Sequence, residues 1–201
     1  MVGHTGAFST RRRAVFLDRD GVLTVPEFRD GRSFAPTRLA DFRIYEDAAA
    51  AVDALKKAGY VVIVVTNQPD VGAGLVAQGV VDDMHRALRA AVAVDDVEVC
   101  FETRAQATER RKPGPGMLLD AARKWDVDLA ASYMVGDRDS DVEAGLKAGC
   151  AALFLDRGYA AESRPTGQVA TVASLAEAAA WILRQGPGEN TIEDNVKGHK
   201  R

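Results

Sequence analysis

The sequence contains little cysteine and no excess of positive charge, and both shortages narrow the classes of protein to which it can belong. Only two of its 201 residues are cysteines, Cys100 and Cys150, and each stands beside apolar residues. Such cysteines are typical of buried thiols in a reducing cytosol. The formal net charge is −3, which disfavours binding to nucleic acid or to an anionic membrane, because both require a basic surface.

Long apolar segments are also absent from the sequence. The first residues, MVGHTGAFSTRRR, contain no apolar stretch of the kind that a signal peptide needs. The longest strongly apolar run, residues 60–65, is far too short to span a bilayer. We therefore expect a cytoplasmic protein without nucleic-acid or membrane partners, and we expect it to be a monomer.

What the sequence does contain is a regular alternation of short apolar runs and helical patterns. The apolar runs predict β-strands at residues 13–18, 60–66, 97–101, 132–137 and 151–155. The segments with helical spacing or capping signals predict α-helices at residues 47–59, 80–92, 115–125, 140–149 and 174–184.

This alternation predicts an α/β fold. Strands that are apolar throughout and separated by helices indicate a doubly wound parallel sheet with both faces covered. The length suits one domain, which we place at residues 13–185. The polar ends of the chain predict disordered tails at residues 1–12 and 186–201.

Polar residues follow three of the predicted strands, at the carboxyl ends where parallel sheets bind ligands. They are Asp18 and Asp20 after the first strand, Thr66 and Asn67 after the second, and Asp137 after the fourth. Carboxylates gathered at one edge repel one another unless a cation lies between them. Hard oxygen ligands with open positions suit Mg²⁺, so we predict this ion as the cofactor.

These residue types suit phosphoryl transfer. Asp18 would attack phosphorus and form an aspartyl-phosphate. Asp20 would protonate the leaving oxygen and then deprotonate the water that cleaves the intermediate. Thr66, Asn67 and Lys112 would hold the non-bridging oxygens of the phosphate.

Four motifs carry a family resemblance. DRDGVL, TNQ, RKP and GDRDSD, in this order and at these spacings, resemble the haloacid dehalogenase (HAD) superfamily of phosphatases over residues 13–155. The resemblance implies that Asp18 is the nucleophile and Asp20 the general acid and base. It also implies that Thr66 and Lys112 stabilise the phosphate.

The same resemblance implies the metal ligands. The carboxylate of Asp18, the main-chain carbonyl of Asp20 and the carboxylate of Asp137 would hold Mg²⁺, and Asp141 would support the metal's water shell. The interval from Asp18 to Thr66 holds only a flap-like loop at residues 22–40 and one helix, and the interval from Asn67 to Lys112 holds a helix, a strand and a loop. We therefore predict no large cap domain.

Three longer segments narrow the resemblance. RKPGPGML, TNQPDVGAGL and FRDGRSFAP are similar to the histidinol-phosphatase-like branch, which includes phosphatases of heptose bisphosphates. The resemblance implies substrate contacts by Arg111 and Arg138, which suit a second phosphate, and we place Gln68 at the substrate as well. The expected reaction is hydrolysis of a small sugar phosphate, most specifically the 7-phosphate of D-glycero-D-manno-heptose 1,7-bisphosphate.

The sequence departs from that branch at two places. Members usually carry a structural zinc on the loop before RKP, but the ligand positions here read Cys100, Glu102, Thr108 and Arg110. Zinc needs a nearly complete set of thiolate or imidazole ligands, so we predict no zinc. Ala73 stands where many relatives have arginine.

Other functions remain open at this point. A histidinol-phosphate phosphatase or another small-molecule phosphatase would share all four motifs. A polynucleotide phosphatase is disfavoured by the acidic balance of the chain. A non-catalytic phosphosugar-binding protein would also keep the fold. His85, which stands beside Arg86 and near Arg89, is interpreted as a solvent-facing residue.

Overall fold

The computed structural model of the protein describes residues 11–186. The predicted disordered tails lie almost wholly outside the described residues, and the domain boundaries stay predictions. None of the helices within residues 11–186 is long and apolar enough to cross a membrane.

The described chain alternates strands and helices. Its strands are β1 Ala14–Leu17, β2 Glu27–Arg29, β3 Arg32–Phe34, β4 Val61–Asn67, β5 Asp96–Cys100, β6 Tyr133–Gly136, β7 Ala151–Leu155 and β8 Ala170–Val172. Its α-helices are α1 Ala48–Lys57, α2 Pro69–Gly72, α3 Gln78–Ala91, α4 Gly116–Trp125, α5 Asp139–Ala148 and α6 Leu175–Arg184.

Six of the strands form one parallel sheet in the order β5-β4-β1-β6-β7-β8. In β1, Val15 and Leu17 pack into one apolar cluster, while Ala14 and Phe16 pack into a second cluster. Successive side chains of a strand point to opposite faces, so the two clusters cover the two faces of the sheet. The predicted doubly wound α/β fold is confirmed.

A two-stranded antiparallel hairpin, β2 and β3, occupies the predicted flap-like loop. Asp30 and Gly31 at its tip have positive φ angles of 51° and 73°. Two such residues form the turn that best matches the twist of a hairpin, and the Asp-Gly pair is the sequence signal for it. No helical or larger cap lies between β1 and β4 within the part of the chain that is described.

The hairpin rests on the loop that follows β7. The amide of Ala161 donates to the carbonyl oxygen of Gly31 at 3.2 Å, and the rings of Phe28 and Tyr159 lie 5.0 Å apart. Neither core cluster includes a residue of β2 or β3. The hairpin therefore packs on the loop after β7 and takes no part in either apolar cluster.

Helix α5 lies very close to β6 because of Gly145. A Cβ atom at this position would lie 2.5 Å from the Cβ of Met134, which is far inside normal contact. The close approach brings Asp141, in the first turn of α5, against the carboxyl end of β6. Gly79 in α3 provides a contrast, since a Cβ atom there would meet nothing within 4 Å.

We expect the two glycines to respond in opposite ways to substitution by alanine. Gly79→Ala should stabilise the fold by up to about 1 kcal/mol, because alanine loses less backbone entropy in a helix. Gly145→Ala should destabilise it by about 1–3 kcal/mol, since the clash with Met134 outweighs that gain. Urea unfolding curves of both variants measure the difference. Equal shifts in the same direction would contradict the packing described here.

Candidate active site

The ends of three neighbouring strands bring the predicted residues together. Asp18 follows β1, Thr66 lies at the end of β4 and Asp137 follows β6. These strands are adjacent in the sheet, so their carboxyl ends share one edge. Lys112 reaches the same place from the loop before α4, and its side chain and those of the other three are buried.

The ammonium group of Lys112 connects two carboxylates. Its Nζ lies 2.7 Å from Asp18 Oδ1 and 2.7 Å from Asp141 Oδ1, and it donates to the carbonyl oxygen of Val65 at 2.8 Å. Burial lowers the pKa of this amine, but the charges of Asp141 and Asp18 outweigh burial and raise the pKa of Lys112 above its ordinary value. The side chain therefore carries a positive charge beside Asp18 at neutral pH.

The carboxylate of Asp137 is buried without a compensating partner. Neither of its oxygens accepts a hydrogen bond of normal geometry among the described residues, although the hydroxyl of Tyr159 lies near. Burial, followed by the charges of Asp18 and Asp141, raises the pKa of Asp137 well above its ordinary value. A buried carboxylate without donors is costly unless a cation compensates it.

Asp18, Asp137 and Asp141 form a group that fits a divalent cation. One carboxylate oxygen from each lies within 4.8 Å of the others. Burial raises the pKa of Asp18 to about 6, with Lys112 opposing the rise and Asp141 and Asp20 adding to it. The set of oxygen donors and its excess negative charge suit a hard cation such as Mg²⁺.

Two glycines make room for this group. A Cβ atom at Gly21, whose φ is +98°, would lie 1.8 Å from Asp137 Oδ2. A Cβ atom at Gly136 would lie 2.1 Å from the Cβ of Asp141. The sequence predicts only that Asp141 supports the metal's water shell, whereas its carboxylate lies in the acidic group itself and also contacts Lys112.

The carboxylate of Asp20 is held by other partners. Its Oδ2 accepts from Arg19 Nε at 3.0 Å, Arg19 Nη2 at 2.8 Å and Gln68 Nε2 at 2.8 Å. Its Oδ1 accepts from Thr24 Oγ1 at 2.9 Å. Burial raises the pKa of Asp20, but the charge of Arg19 and these hydrogen bonds outweigh it and lower the pKa below its ordinary value. The predicted metal ligand of this residue is its carbonyl oxygen, and that role stays a prediction.

Gln68 and Asn67 fix neighbouring groups. Gln68 Nε2 donates to Thr66 Oγ1 at 2.9 Å as well as to Asp20. Asn67 Nδ2 donates to the carbonyl oxygen of Lys112 at 3.0 Å, and Asn67 Oδ1 accepts from the Lys112 amide at 3.2 Å. Asn67 therefore clamps the main chain that carries Lys112. The contacts predicted for Asn67 with phosphate and for Gln68 with substrate stay predictions.

Arg111 and Arg138 are both engaged with the protein at the rim of the site. Arg111 Nη1 donates to the carbonyl oxygen of Glu102. Arg138 Nη2 donates to the carbonyl oxygen of Ser33 at 2.6 Å and to Ser33 Oγ at 2.7 Å, and its Nε lies 3.6 Å from Glu162 Oε2. Arg138 thus joins the site to the hairpin. The substrate contacts predicted for the two arginines stay predictions.

The structure reveals Arg19, which the sequence gives no reason to select, and corrects the prediction for His85. Arg19 has no exposed surface, and His85 is 8% exposed, not solvent-facing. The prediction for His85 is wrong because this side chain packs inward against Arg19. The available signal was helical spacing, since His85 lies four residues after Val81 and three before Leu88, which are both buried.

The four residues at the positions where the family resemblance would place zinc ligands form other contacts. Cys100 is a buried free thiol at the end of β5. The carboxylate of Glu102 accepts from the Thr108 amide at 2.7 Å and from Thr108 Oγ1 at 2.8 Å. Arg110 pairs with Asp120 on α4. Hydrogen bonds and an ion pair thus connect the loop to itself and to the domain, and the absence of zinc stays a prediction.

A cluster of buried aspartates and a lysine at the carboxyl edge of a parallel sheet is the arrangement of a HAD-type hydrolase. A family model described as HAD-hydrolase-like matches residues 109–178. The chain is 39% identical over 155 residues to the D-glycero-β-D-manno-heptose-1,7-bisphosphate 7-phosphatase of Rhodopseudomonas palustris, which covers 71% of this chain and 83% of that protein. The chain therefore belongs to the HAD superfamily of phosphatases, as its four motifs predict.

Further relatives and solved structures agree with this membership. The D-glycero-α-D-manno-heptose-1,7-bisphosphate 7-phosphatase of Burkholderia mallei is 36% identical over 180 residues, covering 82% of this chain and 87% of that protein. The crystal structure of the D,D-heptose 1,7-bisphosphate phosphatase from B. bronchiseptica, complexed with magnesium and phosphate, superposes with a TM-score of 0.72. It is 29% identical and covers 86% of this chain and 99% of that chain.

We expect Mg²⁺ to stabilise the protein through the acidic group. A ligand at about 100 times its Kd stabilises a fold by about 2.7 kcal/mol, which corresponds to about 5–10 °C in a chain of this size. In Asp137→Asn the shift should disappear, because a ligand is lost. Without metal this variant should be at least as stable as the wild type, since one uncompensated buried carboxylate is gone.

Thermal unfolding in EDTA and in Mg²⁺ measures both effects. Asp53→Asn, which changes an exposed aspartate on α1, is the matched control and should shift with Mg²⁺ as the wild type does. A wild-type midpoint that ignores Mg²⁺, or an Asp137→Asn midpoint that still rises with it, would contradict the assignment.

Proposed function

We propose that the protein is a Mg²⁺-dependent phosphomonoesterase that removes the 7-phosphate of D-glycero-D-manno-heptose 1,7-bisphosphate through an aspartyl-phosphate intermediate. The observation that carries the proposal is the contact of buried Asp18 with Lys112 beside the unpartnered carboxylate of Asp137. The names of the relatives supply the choice of sugar. The enzyme is taken to be a cytoplasmic monomer without zinc, and its two buried free cysteines agree with a reducing compartment.

Asp18 is the nucleophile in this proposal. Lys112 holds Asp18 Oδ1 at 2.7 Å, so the carboxylate is fixed in orientation before a phosphate arrives. The same ammonium group offsets the negative charge of the incoming phosphate. Attack by a carboxylate oxygen forms the phosphorus–oxygen bond to Asp18 as the bond from phosphorus to the leaving sugar oxygen breaks.

Asp18, Asp137 and the carbonyl oxygen of Asp20 would hold the cation, with Asp141 beside them. Bound Mg²⁺ supplies the positive charge that lets a carboxylate approach a phosphate group. Lys112 is needed as well, because its ammonium group contacts both Asp18 and Asp141 and offsets the repulsion between their carboxylates.

Asp20 moves the protons. Against the effect of burial, Arg19 lowers the pKa of Asp20, so this carboxylate is ionised in the free protein and takes up a proton as the phosphate binds. In the first step it donates this proton to the leaving sugar oxygen, and in the second it takes a proton from the attacking water. Oδ2 accepts three hydrogen bonds and Oδ1 accepts one, so Oδ1 is the atom with room for the transferred proton. Phosphate is then released and Asp18 is restored.

The remaining predicted residues bind the substrate. Thr66 Oγ1 accepts from Gln68, which leaves its own hydrogen for a phosphate oxygen. Arg111 and Arg138 lie at the rim, where two guanidinium groups suit the second phosphate of a bisphosphate. Among the described residues a small hairpin, and no cap domain, lies beside this rim.

We expect the wild-type protein with Mg²⁺ to release inorganic phosphate from the heptose bisphosphate faster than from any other compound in a panel of phosphosugars and histidinol phosphate. Asp18→Asn should lower kcat by at least about 10³-fold, because it removes the nucleophile with little change of shape. A phosphate-release assay measures both values. Wild-type release no faster than that of Asp18→Asn on every compound would refute the phosphatase. Fastest release from histidinol phosphate would refute only the choice of sugar.

Arg138→Gln and Arg111→Gln should each weaken use of the bisphosphate selectively. Loss of a charge-assisted hydrogen bond of about 1.5–3 kcal/mol corresponds to about 10- to 100-fold in kcat/KM. For a sugar that carries only the phosphate being removed, kcat/KM should change by about twofold or less. Equal losses on both substrates, measured by the same assay, would show that neither arginine binds the second phosphate.

A further inference from the structure

Arg19 is a fully buried arginine with no part in the mechanism described above. It stands between Asp18 and Asp20 in the chain, and its guanidinium has no exposed surface. Burying this group requires that its donors be paired. Nε and Nη2 donate to Asp20 Oδ2 at 3.0 and 2.8 Å, and the ring of Phe42 lies 5.5 Å from the guanidinium carbon.

The other end of the guanidinium is fixed by His85 on α3. Arg19 Nη1 lies 3.1 Å from His85 Nε2. Arginine offers only donors, so Nε2 must be the acceptor and the ring proton must sit on Nδ1. An imidazolium here would place two buried cations in contact. Burial, followed by the charge of Arg19, lowers the pKa of His85 to about 4, against the raising effects of Asp20 and Asp82.

The hydrogen bonds that link His85 to Arg19 and Arg19 to Asp20 fix the orientation of the Asp20 carboxylate. Oδ2 is saturated by Arg19 and Gln68, and Oδ1 keeps room for a proton. Without the acceptor at His85, one buried N–H donor of Arg19 loses its hydrogen-bond partner. The unpaired donor favours rotation of the guanidinium away from Asp20, toward another acceptor. A general acid must be placed closely to act, because small displacements cost large factors in rate.

We propose that His85 is a positioning residue which, by accepting a hydrogen bond from Arg19, orients Asp20 for proton transfer to the leaving group. This role rests on the proposed phosphatase function, and it adds a residue outside the four motifs. His85 touches neither substrate nor metal in this account, since its effect passes through Arg19.

The test compares two leaving groups. The value of kcat/KM reports the steps through departure of the leaving group. A sugar phosphate expels an alkoxide that needs a proton from Asp20, whereas p-nitrophenyl phosphate expels a stable phenolate that needs none. In His85→Leu, kcat/KM should fall about tenfold or more for the sugar phosphate and by about twofold or less for p-nitrophenyl phosphate.

Two variants control this comparison. His85→Gln restores a neutral acceptor for Arg19 and should recover most of the lost activity on the sugar phosphate. Arg86→Gln changes an exposed neighbour on α3 that pairs with Asp83, and it should behave as the wild type on both substrates. Circular dichroism and thermal unfolding establish that each variant folds.

A measurement without turnover addresses the contact itself. In ¹⁵N NMR spectra of the folded wild-type protein at neutral pH, His85 should show an unprotonated Nε2 and a protonated Nδ1. A proton on Nε2 would overturn the proposal even if His85→Leu fails to fold.

The kinetic outcomes separate the two levels of the account. If the wild type is active and His85→Leu lowers kcat/KM equally for both substrates, or for neither, the proposed role of His85 is wrong. The proposed phosphatase function is unaffected by that result. A wild type that releases phosphate from neither substrate refutes the phosphatase function and the role of His85 with it.

Discussion

The whole site depends on the balance of charge among four buried side chains. Asp18, Asp137 and Asp141 lie together with the ammonium group of Lys112. When all are ionised, three negative charges face one positive charge, which leaves two negative charges without compensation. Buried charges of this kind destabilise a fold unless they are paired, and a divalent cation carries the matching charge. A cluster of buried carboxylates whose pKa values are raised is typical of a functional site.

The scaffold places these groups by simple geometric means. Adjacent parallel strands end at one edge, so residues that are distant in sequence meet without long loops. Glycines then allow backbone and side chains to approach more closely than any Cβ would permit, at Gly21 against Asp137, at Gly136 against Asp141 and at Gly145 under α5. The hairpin and the loop after β7, which lie beside this site, contribute no residue to either apolar core.

The sequence predicts what depends on local pattern and misses what depends on tertiary contact. The strands β1, β4, β6 and β7 are apolar along most of their length, whereas β5 includes Asp96 and Glu98. The site residues follow apolar strands, and for that reason they are recognisable as a group. Strand β8 has only three residues and the hairpin is mostly exposed, so neither has a strong pattern, although Asp30-Gly31 marks the turn. The burial of Arg19 could not be predicted, because its partners His85 and Phe42 lie far away in sequence. The sequence predicts Asn67 as a phosphate ligand. Its contacts with the main chain of Lys112 are visible only in the structure, because the two residues are far apart in sequence.

The central claim is that a cation gathers Asp18 and Asp137 so that Asp18 can bond to phosphorus, and one measurement tests it most directly. Beryllofluoride mimics a phosphoryl group bound to a carboxylate, and a crystal structure of the protein with Mg²⁺ and beryllofluoride would show which oxygen it joins. The account predicts beryllium bonded to a carboxylate oxygen of Asp18, Mg²⁺ in contact with Asp18 and Asp137, and a fluoride within hydrogen-bond distance of Lys112 Nζ. Beryllofluoride bonded to another residue, or Mg²⁺ bound away from Asp137, would contradict it.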